Sequence, residues 1–315
     1  MSGQSFNVGV IGFGTIGTGT VKVLLKDQDI LEQRAGRKIV LKTVADISPQ
    51  KKDGIDYSKF TLVDDASKII NDPSIDLVVE VIGGVTHAKK YIEEAIKNKK
   101  HVVTANKELI AKHGKELIAM AKEAGVNLFY EASSGGGIPI INALTSSLAA
   151  NSYKKIYGIL NGTTNYILSK MTAEGAEFED VLKEAQSLGY AEADPSSDVD
   201  GHDVAYKLTI LSSIAFDCYF NHESIYREGI RSISFRDIAA AKQYGYVIKL
   251  LAIGIAQSDS KVELRVHPVM IRQSHPLASV NGAFNAVYVE GENVGETMFY
   301  GRGAGKLPTA SAVVA

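Results

Sequence analysis

A glycine-rich turn near the start of the chain most constrains its fold. Residues 7–11 form an apolar run of strand length that leads directly into Gly12-Phe-Gly14-Thr-Ile-Gly17, and an apolar, helix-like segment follows to about Leu25. The first glycine allows a tight turn, the second lets the backbone approach a pyrophosphate, and the third lets helix and strand pack closely. The helix N-terminus then faces the phosphates with its positive dipole end. This strand–turn–helix context predicts a dinucleotide-binding domain rather than an incidental glycine turn.

Strand-like and helical runs alternate after this turn. Residues 39–45, 77–82, 101–104 and 126–130 are predicted strands, and residues 86–98 and 111–124 are predicted helices. Such alternation is typical of a parallel sheet with crossover helices, in which ligands collect at the carboxyl ends of the strands. Gly83, Thr86, Thr104 and Lys107 all lie at such ends, and we expect them beside the dinucleotide.

Asp46 follows the second predicted strand, where an acid could bind the adenosine ribose hydroxyls, as in NAD-preferring folds. The interval from the glycines exceeds the usual ~20 residues, and residues 29–38 look like an insertion that explains the difference. Lys51 and Lys52 could instead bind a 2′-phosphate, although a solvated charge cluster is the simpler interpretation. The sequence therefore leaves NAD and NADP both open.

Lys107 breaks a local rule of helix composition. Asn106 has the character of an N-cap, which places Lys107 in the first helical turn, where a cation opposes the helix dipole. A residue that breaks such a rule at a ligand-binding edge is a candidate functional residue. The alternative interpretation is an exposed lysine of little consequence.

Residues 131–139, EASSGGGIP, form a predicted hinge after the last strand of the alternating region. Pro139 could be the first residue of the next helix, and a second domain would begin about here. Carbonyl oxygens in such a loop, together with Glu131, could hold a hard cation. Composition alone favours a flexible crossing between domains.

The densest cluster of acids lies in residues 189–207, GYAEADPSSDVDGHDVAYK, which hold five carboxylates. Gly201 and the apolar run after it predict a loop that opens into a helix. On that helix Asp203 and Lys207 are four residues apart and share a face. Apolar neighbours partly desolvate a lysine and lower its pKa towards the range of proton transfer, while the acids could fix a cationic group of a substrate. The alternatives are a surface helix pair, worth about 0.2–0.5 kcal/mol, or a calcium loop, for which the EF-hand spacing fails.

The composition excludes several classes of function. The 315 residues suffice for two domains, and an apolar content of 45% supplies a substantial core. Lys plus Arg total 34 against 36 for Asp plus Glu, which gives no electrostatic case for nucleic acid or an anionic membrane. Cys218 is the single cysteine, so a reduced, cytoplasmic setting is expected. The N-terminus lacks a signal-peptide pattern, and the apolar run at residues 250–256 is too short for a membrane span.

The remainder of the chain alternates less regularly. Residues 155–160 form a strand-like run that meets Asn161-Gly-Thr-Thr-Asn-Tyr, a second strand end that enters a helix. Residues 178–188 are a predicted helix, residues 262–269 and 284–289 are predicted strands, and the apolar run from residue 309 has the pattern of a helix start. The predicted fold class is α/β, with an N-terminal Rossmann-type parallel sheet and a second, α+β domain.

These motifs, in this order, resemble homoserine dehydrogenase. The resemblance spans nearly the whole chain and rests on GFGTIG, TANKEL, EASSGGGIPI, GILNGTTNYIL, GYAEADPSSDVDGHDVAYKLTIL and GETMFYGRGAGKLPTASAVV. It implies that L-homoserine and L-aspartate 4-semialdehyde are interconverted, with hydride passing to or from the nicotinamide of NADP or NAD. Lys207 matches the family's acid–base lysine, and Lys107 matches a lysine at the junction of cofactor and substrate, where it would share the proton work.

The resemblance also implies the binding residues. Glu192 and Asp203 match residues that bind the substrate near its ammonium group. Asp198 and Tyr190 would lie in the same pocket. The implied cofactor contacts, beyond the three glycines and Asp46, Thr86, Thr104 and Lys107, are Phe13, Thr15, Ile16, Gly189 and Gly305. The implied monovalent-cation site, for Na⁺ or K⁺, consists of Glu131 with the backbone carbonyls of Ser134, Gly136 and Ile138. Ser134 stands where an apolar residue is common, and backbone ligation should tolerate that change.

At the level of domains, the resemblance implies a dinucleotide-binding domain at residues 1–135 and a substrate-binding and dimerisation domain at residues 136–285. A C-terminal segment at residues 286–315 would return to the first domain. Because relatives often continue into a regulatory domain, the chain would be a short form or a truncated one. The expected partners are the small-molecule substrate and a second copy, as a homodimer, in the biosynthesis of threonine, methionine and isoleucine.

Two alternatives are open at this point. One is another alcohol or amino-acid dehydrogenase that shares only the nucleotide-binding fold and is indifferent to homoserine. The other is a non-catalytic NAD(P) sensor, in which Lys207 could be replaced without consequence. The acidic loop beside a partly buried lysine argues against the sensor.

Overall fold

The structure is a computed structural model that describes residues 5–258 and 261–315. The prediction that the chain has no signal peptide concerns a segment that includes residues 1–4, and these lie outside the described residues. The chain divides into two compact units. One comprises the chain up to Gly137 together with Gly305–Ala315, and the other comprises Ile138–Ala304.

Strands and helices occupy most of both units. The strands are β1 (Phe6–Ile11), β2 (Ile39–Ala45), β3 (Thr61–Val63), β4 (Leu77–Glu80), β5 (His101–Thr104), β6 (Leu128–Phe129), β7 (Tyr153–Ile159), β8 (Tyr226–Arg227), β9 (Tyr246–Ser258), β10 (Lys261–Arg272), β11 (Phe284–Gly291) and β12 (Gly295–Arg302). The α-helices are α1 (Thr15–Lys26), α2 (Gln28–Ala35), α3 (Ser67–Ile70), α4 (Thr86–Lys97), α5 (Lys107–Ala124), α6 (Ile140–Asn142), α7 (Gly162–Glu174), α8 (Phe178–Ser187), α9 (Ser196–Val199), α10 (His202–Ala215), α11 (Phe235–Gln243) and α12 (Lys306–Val314).

The sheet of the first unit confirms the predicted Rossmann-type architecture. Its strand order is β3-β2-β1-β4-β5-β6, and every pair of neighbours is parallel. The order reverses between β1 and β4, and ligands of such sheets bind outside the carboxyl ends of the strands at that point. Ile11, the last residue of β1, pairs with Ala45 on one side and Glu80 on the other. This register brings together the turns that follow the three strands.

Helices cover both faces of this sheet because successive residues of a buried strand point to opposite sides. Val10 is fully buried in a cluster with Val21 of α1 and Val313 of α12. Its neighbour Ile11 packs in a second cluster with Ile92 of α4 and other residues. Each fully buried aliphatic side chain contributes about 1.5–3 kcal/mol, so two such layers account for a strand pattern that is apolar on both faces.

Several boundaries differ from the sequence-based expectation. The insertion at residues 29–38 folds largely as α2, which ends at Gly36 in the left-handed conformation, with φ +68°. The strand expected at residues 126–130 is only Leu128–Phe129. The helical run predicted at residues 111–124 extends back to Lys107, as the N-cap character of Asn106 predicted, because the Asn106 side chain accepts a hydrogen bond from the Leu109 backbone N–H.

The second unit is built on a mixed sheet with the order β12-β11-β7-β9-β10-β8. The hairpin of β9 and β10 is its longest element, and the sequence did not identify β9. Residues 248–254 are buried without alternation, and a continuous apolar run does not distinguish a strand from a buried helix. Strand β12 and helix α11 were also missed, although Ser234 and Asp237 form a capping box at the start of α11.

One side of this sheet carries an apolar cluster that includes Ile159, Leu251, Ile253 and Tyr288. The rings of Tyr157 and Tyr288 stack there with centroids 6.1 Å apart. Tyr157 and Ile271, at the margin of the cluster, are only partly buried. In neither unit does a helix of the described residues have the length and apolarity needed to cross a membrane.

Candidate active site

The glycine turn of the first unit has the geometry that a dinucleotide requires. Gly12 has φ +105°, and a side chain there would meet the Val81 backbone at 2.8 Å. A Cβ on Gly17 would lie 1.9 Å from the Gly12 carbonyl oxygen, so only glycine allows α1 to start this close to β1. Nothing lies within 4 Å of the Cβ position of Gly14, which leaves the backbone open to a bulky anion at the N-terminus of α1.

Asp46 fastens this turn to the end of β2. Its Oδ2 accepts a hydrogen bond from the Phe13 backbone N–H at 2.7 Å, and its Oδ1 accepts one from the Ser48 N–H at 3.0 Å. Asp46 therefore shapes the glycine turn in addition to lining the cleft beside it. Phe13 is 2% exposed and its side chain packs in the core, so the side chain does not face a cofactor.

A cleft of about 680 Å³ lies outside the strand ends, within the range of roughly 300–1,000 Å³ that is usual for ligand sites. Five residues predicted from the sequence line it: Gly12, Gly14, Asp46, Gly83 and Thr86. Ile82, Gly84, His87, Asp64 and Asp65 also contribute to its walls. The predicted contacts Thr15 and Ile16 begin α1 and are exposed and half-buried respectively. Gly305, with φ +119°, precedes α12.

Glu80 is a buried carboxyl group beside this cleft that the sequence analysis missed. The residue is fully buried at the end of β4. Its Oε2 accepts a hydrogen bond from the Thr104 hydroxyl at 2.6 Å, and its Oε1 accepts one from the Ile82 N–H at 2.9 Å. Burial raises the pKa of Glu80, while the hydrogen bonds from Thr104, Ile82 and Gly83 act in the opposite direction. Thr104 is itself fully buried, so it does not face the cleft.

In the second unit, Lys207 and Asp203 form a buried ion pair. Their spacing predicted a shared helix face, and the apolar neighbours of Lys207 predicted its partial burial. Lys207 Nζ lies 2.7 Å from Asp203 Oδ2 and donates a second hydrogen bond to the Leu160 carbonyl at 2.7 Å. The residues are 8% and 2% exposed, so this pair is not the surface pair of the alternative interpretation. Gly201, with φ +79°, starts α10 and allows the acidic loop to turn into the helix.

Asn161 joins the other acids to this pair. Its amide nitrogen donates to Asp203 Oδ2 at 2.9 Å and to Asp198 Oδ1 at 2.7 Å. Its Oδ1 accepts from the Thr164 backbone N–H at 2.8 Å, which makes it the N-cap of α7. One buried side chain therefore starts α7 and holds two carboxylates. The sequence marked Asn161 as a strand end entering a helix but assigned it no role.

The remaining predicted substrate residues lie at different depths around this network. Thr163 Oγ1 lies 2.6 Å from the Tyr190 carbonyl oxygen and 3.0 Å from Asp198 Oδ2, which ties the backbone of Tyr190 to the acids. The Tyr190 ring is 45% exposed and lies 4.8 Å from the Tyr166 ring. Gly189 is exposed, with φ +75°. Glu192 is exposed, and its backbone carbonyl accepts a hydrogen bond from Gln186.

The segment predicted to hold a cation starts with a short 3-10 helix, Glu131–Ser133. Ser134 and Gly136 are buried, and Gly136 has φ +55°. The Ser134 hydroxyl has no hydrogen-bond partner within the described ranges. Ile138 is 2% exposed and is the first residue of the second unit. Across residues 5–258 and 261–315, no group of three or more His, Cys, Asp or Glu side chains could hold a metal ion.

Two family models match the chain. The one described as "Homoserine dehydrogenase, NAD binding domain" matches residues 12–131, and the one described as "Homoserine dehydrogenase" matches residues 139–315. The chain belongs to the homoserine dehydrogenase family. It is therefore an NAD(P)-dependent oxidoreductase that acts on a CH–OH group and interconverts L-homoserine and L-aspartate 4-semialdehyde. The prediction made from the motifs is confirmed, and the alternative of an unrelated dehydrogenase is not supported.

Individual homoserine dehydrogenases match over almost the whole chain. The protein from Bacillus subtilis is 48% identical over 99% of this chain and 72% of its own length, and that from Synechocystis is 51% identical with the same coverage. The crystal structure of the Thiobacillus denitrificans enzyme superposes with a TM-score of 0.95 at 48% identity, covering 99% of this chain and 72% of that one. A hyperthermophilic archaeal homoserine dehydrogenase in complex with NADPH is 27% identical, with a TM-score of 0.80, covering 98% and 95%.

Proposed function

We propose that Lys207 is the acid–base residue of this homoserine dehydrogenase and that Asp203, Asp198, Glu192 and Tyr190 form its substrate site. The observation that supports this role is the buried contact of 2.7 Å between Lys207 Nζ and Asp203 Oδ2. A lysine held by a carboxylate and a carbonyl oxygen has a fixed position, and a fixed position is what proton transfer to a substrate oxygen requires.

Oxidation of the substrate alcohol releases a proton and a hydride. The dinucleotide, when bound, would accept the hydride in this direction and donate it in the reverse reaction. In its amine form, Lys207 takes the hydroxyl proton of L-homoserine, and in the reverse direction its ammonium gives the proton to the aldehyde oxygen. Asp203 offsets the positive charge that Lys207 acquires. The hydrogen bond from Asn161 to the same oxygen, Asp203 Oδ2, keeps that carboxylate in place.

The amino acid part of the substrate requires anionic partners for its ammonium group. Asp198 is half-buried and held by Asn161 and Thr163, whereas Glu192 is exposed on the same acidic loop. We assign the ammonium to these acids, with the Tyr190 ring as one wall of the site. A loop that is partly exposed and tied at several points can admit a substrate and still present its carboxylates in a fixed arrangement.

Lys107 is the proposed second proton-handling residue. It is half-buried in the first turn of α5. A cation at this position opposes the helix dipole, so a functional reason for its presence is expected. Comparing the kcat of Lys107→Ala with that of Lys207→Ala measures how the two lysines share proton transfer, because loss of the secondary proton carrier lowers kcat less than loss of the principal one.

The cleft of the first unit is the proposed site of NADP or NAD, through Gly12, Gly14, Gly17 and the turn that ends at Thr86. The Asp46 carboxylate lines this cleft and repels a 2′-phosphate, whereas Lys51 and Lys52 would attract one. Asp46→Asn retains the acceptor for the Phe13 N–H and removes the charge. We expect it to raise the ratio of kcat/KM with NADP to kcat/KM with NAD, and we expect Lys51→Ala with Lys52→Ala to lower that ratio if the lysines bind the phosphate.

A monovalent cation, Na⁺ or K⁺, is the proposed ligand of Glu131 and the backbone carbonyls of Ser134, Gly136 and Ile138. The buried glycines and the buried, unpartnered Ser134 hydroxyl support an oxygen-rich segment. The test is the melting temperature in NaCl, KCl and choline chloride at equal ionic strength. A specific rise in one metal salt, lost in Glu131→Gln, supports the site, and identical melting curves in all three salts refute it.

A homodimer is the proposed assembly, formed through the sheet of the second unit. The partly buried Tyr157, Val269 and Ile271 at the margin of its apolar cluster support this surface. Ile271→Glu should shift the mass measured by sedimentation from dimer to monomer. A dimer that persists would place the interface elsewhere. As a threonine, methionine and isoleucine biosynthetic enzyme with one exposed cysteine, Cys218, it would work in the reducing cytoplasm.

The decisive experiment is formation of NAD(P)H from L-homoserine at alkaline pH, with NAD and NADP in separate reactions. Lys207→Ala should lose turnover and still bind the dinucleotide. Lys112→Ala is the matched control, because Glu108 and Lys112 repeat the same acid–lysine spacing on α5 at 2.5 Å but on the protein surface. Cofactor binding without turnover by the parent enzyme would favour the sensor alternative.

A further inference from the structure

A closed ring of hydrogen bonds connects two strand ends of the first unit. Glu80 and Thr104 are direct partners in the register of β4 and β5, and the Thr104 hydroxyl donates to Glu80 Oε2 at 2.6 Å. The same hydroxyl oxygen accepts a hydrogen bond from the Asn106 N–H at 3.0 Å. The Asn106 amide nitrogen then donates to the Gly84 carbonyl at 2.5 Å. The backbone leads from Gly84 to Ile82, whose N–H donates to Glu80 Oε1 and closes the ring.

The ring connects two parts of the proposed active site, the dinucleotide cleft and the first turn of α5, which carries Lys107. Ile82, Gly83 and Gly84 line the dinucleotide cleft, and both glycines have positive φ angles, +77° and +68°. A turn with two left-handed residues has no repeating hydrogen bonds of its own, so the Glu80 carboxylate supplies acceptors for its backbone N–H groups. On the other side, Asn106 Oδ1 caps α5 at the Leu109 N–H, 3.0 Å away, next to Lys107.

A fully buried carboxyl group is costly unless its oxygens are hydrogen-bonded. An apolar residue at the end of β4 would pack in the core without that desolvation cost. The packing of the strand therefore does not explain a glutamate here. The three donors that surround Glu80, from Thr104, Ile82 and Gly83, are matched to its two oxygens. The carboxylate is therefore built into the turn and has no direct access to the cleft.

We propose that Glu80 is a positioning residue: its buried carboxylate holds the turn at residues 82–84 in the dinucleotide cleft and, through Thr104 and Asn106, the helical turn that carries Lys107. The part that concerns Lys107 rests on the role proposed for that lysine. The part that concerns the cleft rests on dinucleotide binding alone.

Glu80→Gln is the first test, because glutamine has the same shape and exchanges one acceptor oxygen for a donor. That donor meets either the backbone N–H groups, where a hydrogen bond is lost, or the Thr104 hydroxyl, which must then accept from the glutamine, so that the stronger bond to a charged carboxylate is replaced by a neutral one. We expect the Kd for NADPH, measured by quenching or enhancement of its fluorescence, to rise about tenfold and kcat per folded enzyme to fall about tenfold. Thr104→Val should reproduce both effects.

Asn106→Asp separates the ring from the helix cap. Aspartate keeps the cap oxygen for the Leu109 N–H but cannot donate to the Gly84 carbonyl. The matched control is Asn98→Asp at the C-terminus of α4, since Asn98 also donates from its side chain to a backbone carbonyl, that of Ile70, at 2.9 Å. We expect Asn106→Asp to raise the Kd for NADPH and lower kcat, and Asn98→Asp to leave both within twofold.

The outcomes are distinguishable. If Glu80→Gln only lowers the melting temperature, with the Kd for NADPH and kcat per folded enzyme within twofold of the parent, Glu80 is a structural residue and the inference is wrong. Lys107→Ala tests the other component separately: unchanged kcat in that variant refutes the proposed role of Lys107. The Kd for NADPH of Glu80→Gln decides the role of Glu80 in either case.

Discussion

Two lysines are buried in the second unit, and their surroundings differ. Lys207 is 8% exposed and contacts a carboxylate and a carbonyl oxygen. Lys249, on β9, is 2% exposed, and its ammonium lies within hydrogen-bond distance of Asn165, Ser169, Val280 and Asn281. All four acceptors are neutral oxygens at 2.6–3.3 Å. Burial lowers the pKa of Lys249 to about 8.

The comparison shows that desolvation does not by itself identify a catalytic lysine. Judged by burial alone, Lys249 would be the stronger candidate. Its three N–H donors, however, are surrounded by four acceptors, and these join β9, α7 and the segment at residues 280–281. Lys249 therefore has a structural role, because its hydrogen bonds connect these three segments. Lys207 is paired instead with the carboxylate of Asp203, which offsets its positive charge, and Asn161 connects Asp203 to the half-buried Asp198 of α9.

The strongest test of this distinction replaces each lysine by methionine, which has a similar length and no charge. Lys207→Met should lower kcat by about 10²–10⁴-fold, the usual range for loss of a general acid–base residue. Lys249→Met should leave kcat per folded enzyme within about threefold. Steady-state kinetics with L-homoserine and a separate measurement of the folded fraction check both. Equal losses of kcat in the two variants would show that the two lysines do not differ in their role.

Asn161→Asp should have the next largest effect. The variant keeps an oxygen for the α7 cap but places a third carboxylate against Asp198 and Asp203. We expect the KM for L-homoserine to rise and kcat to fall, together by about 10–100-fold in kcat/KM, since like charges and an unmet acceptor each cost about 1–3 kcal/mol. Asn221→Asp is the control, because Asn221 also caps a helix, the 3-10 helix His222–Ser224, by accepting a hydrogen bond from the Glu223 N–H at its Oδ1. Unchanged kcat/KM for Asn161→Asp would refute the positioning role of Asn161.

Lys249 should make stability depend on pH. Its folded-state pKa of about 8 lies below the ordinary value of 10.5, so the folded protein releases this proton before the unfolded chain does. The unfolded state then binds more protons between those values, and the free energy of unfolding rises with pH in that window. Relative to Lys249→Met, we expect a gain on the order of 2–3 kcal/mol between pH 8 and 10.5. If the parent and Lys249→Met differ by the same free energy of unfolding at pH 8 and at pH 10.5, the assignment is wrong.

Ser169→Ala should have the smallest effect. It removes the longest of the four contacts to the Lys249 ammonium, 3.3 Å, together with the acceptor of the Gly282 N–H at 3.2 Å, and three acceptors of the ammonium remain. We expect a loss of about 0.5–1.5 kcal/mol in the free energy of unfolding and no change in kcat. A loss above about 3 kcal/mol would mean that the four oxygens act as one cooperative network. Urea denaturation at pH 7 measures the difference.

Much of the molecule was predictable from local sequence. The strand–glycine turn–helix motif and the alternation of runs led to the parallel sheet, and the bounds of β2 and β5 agree with their predicted positions. The pairing of Asp203 with Lys207 followed from helical spacing. Strand β9 did not, because a run of apolar residues without alternation carries no periodicity that identifies its conformation.

Residues that act through distant partners were the ones that sequence analysis missed. Asn161 was visible as a helix start, but nothing in its neighbourhood shows that it faces acids 37 and 42 residues away. Glu80 lies within the predicted strand at residues 77–82 and was assigned no role, and its partner Thr104 is 24 residues distant. Lys249 directly precedes the apolar run at residues 250–256, and its four oxygen partners come from α7 and from residues 280–281.

The sequence by itself determined the family, the chemistry and the local geometry of each motif, because glycine φ angles, N-caps and i, i+4 pairs depend on residues close in the chain. Only the tertiary structure decided which buried polar groups satisfy one another. That choice depends on strand register and on which helix end faces which loop, and both are set by packing between segments far apart in sequence. The roles of Glu80, Asn161 and Lys249 are of this second kind.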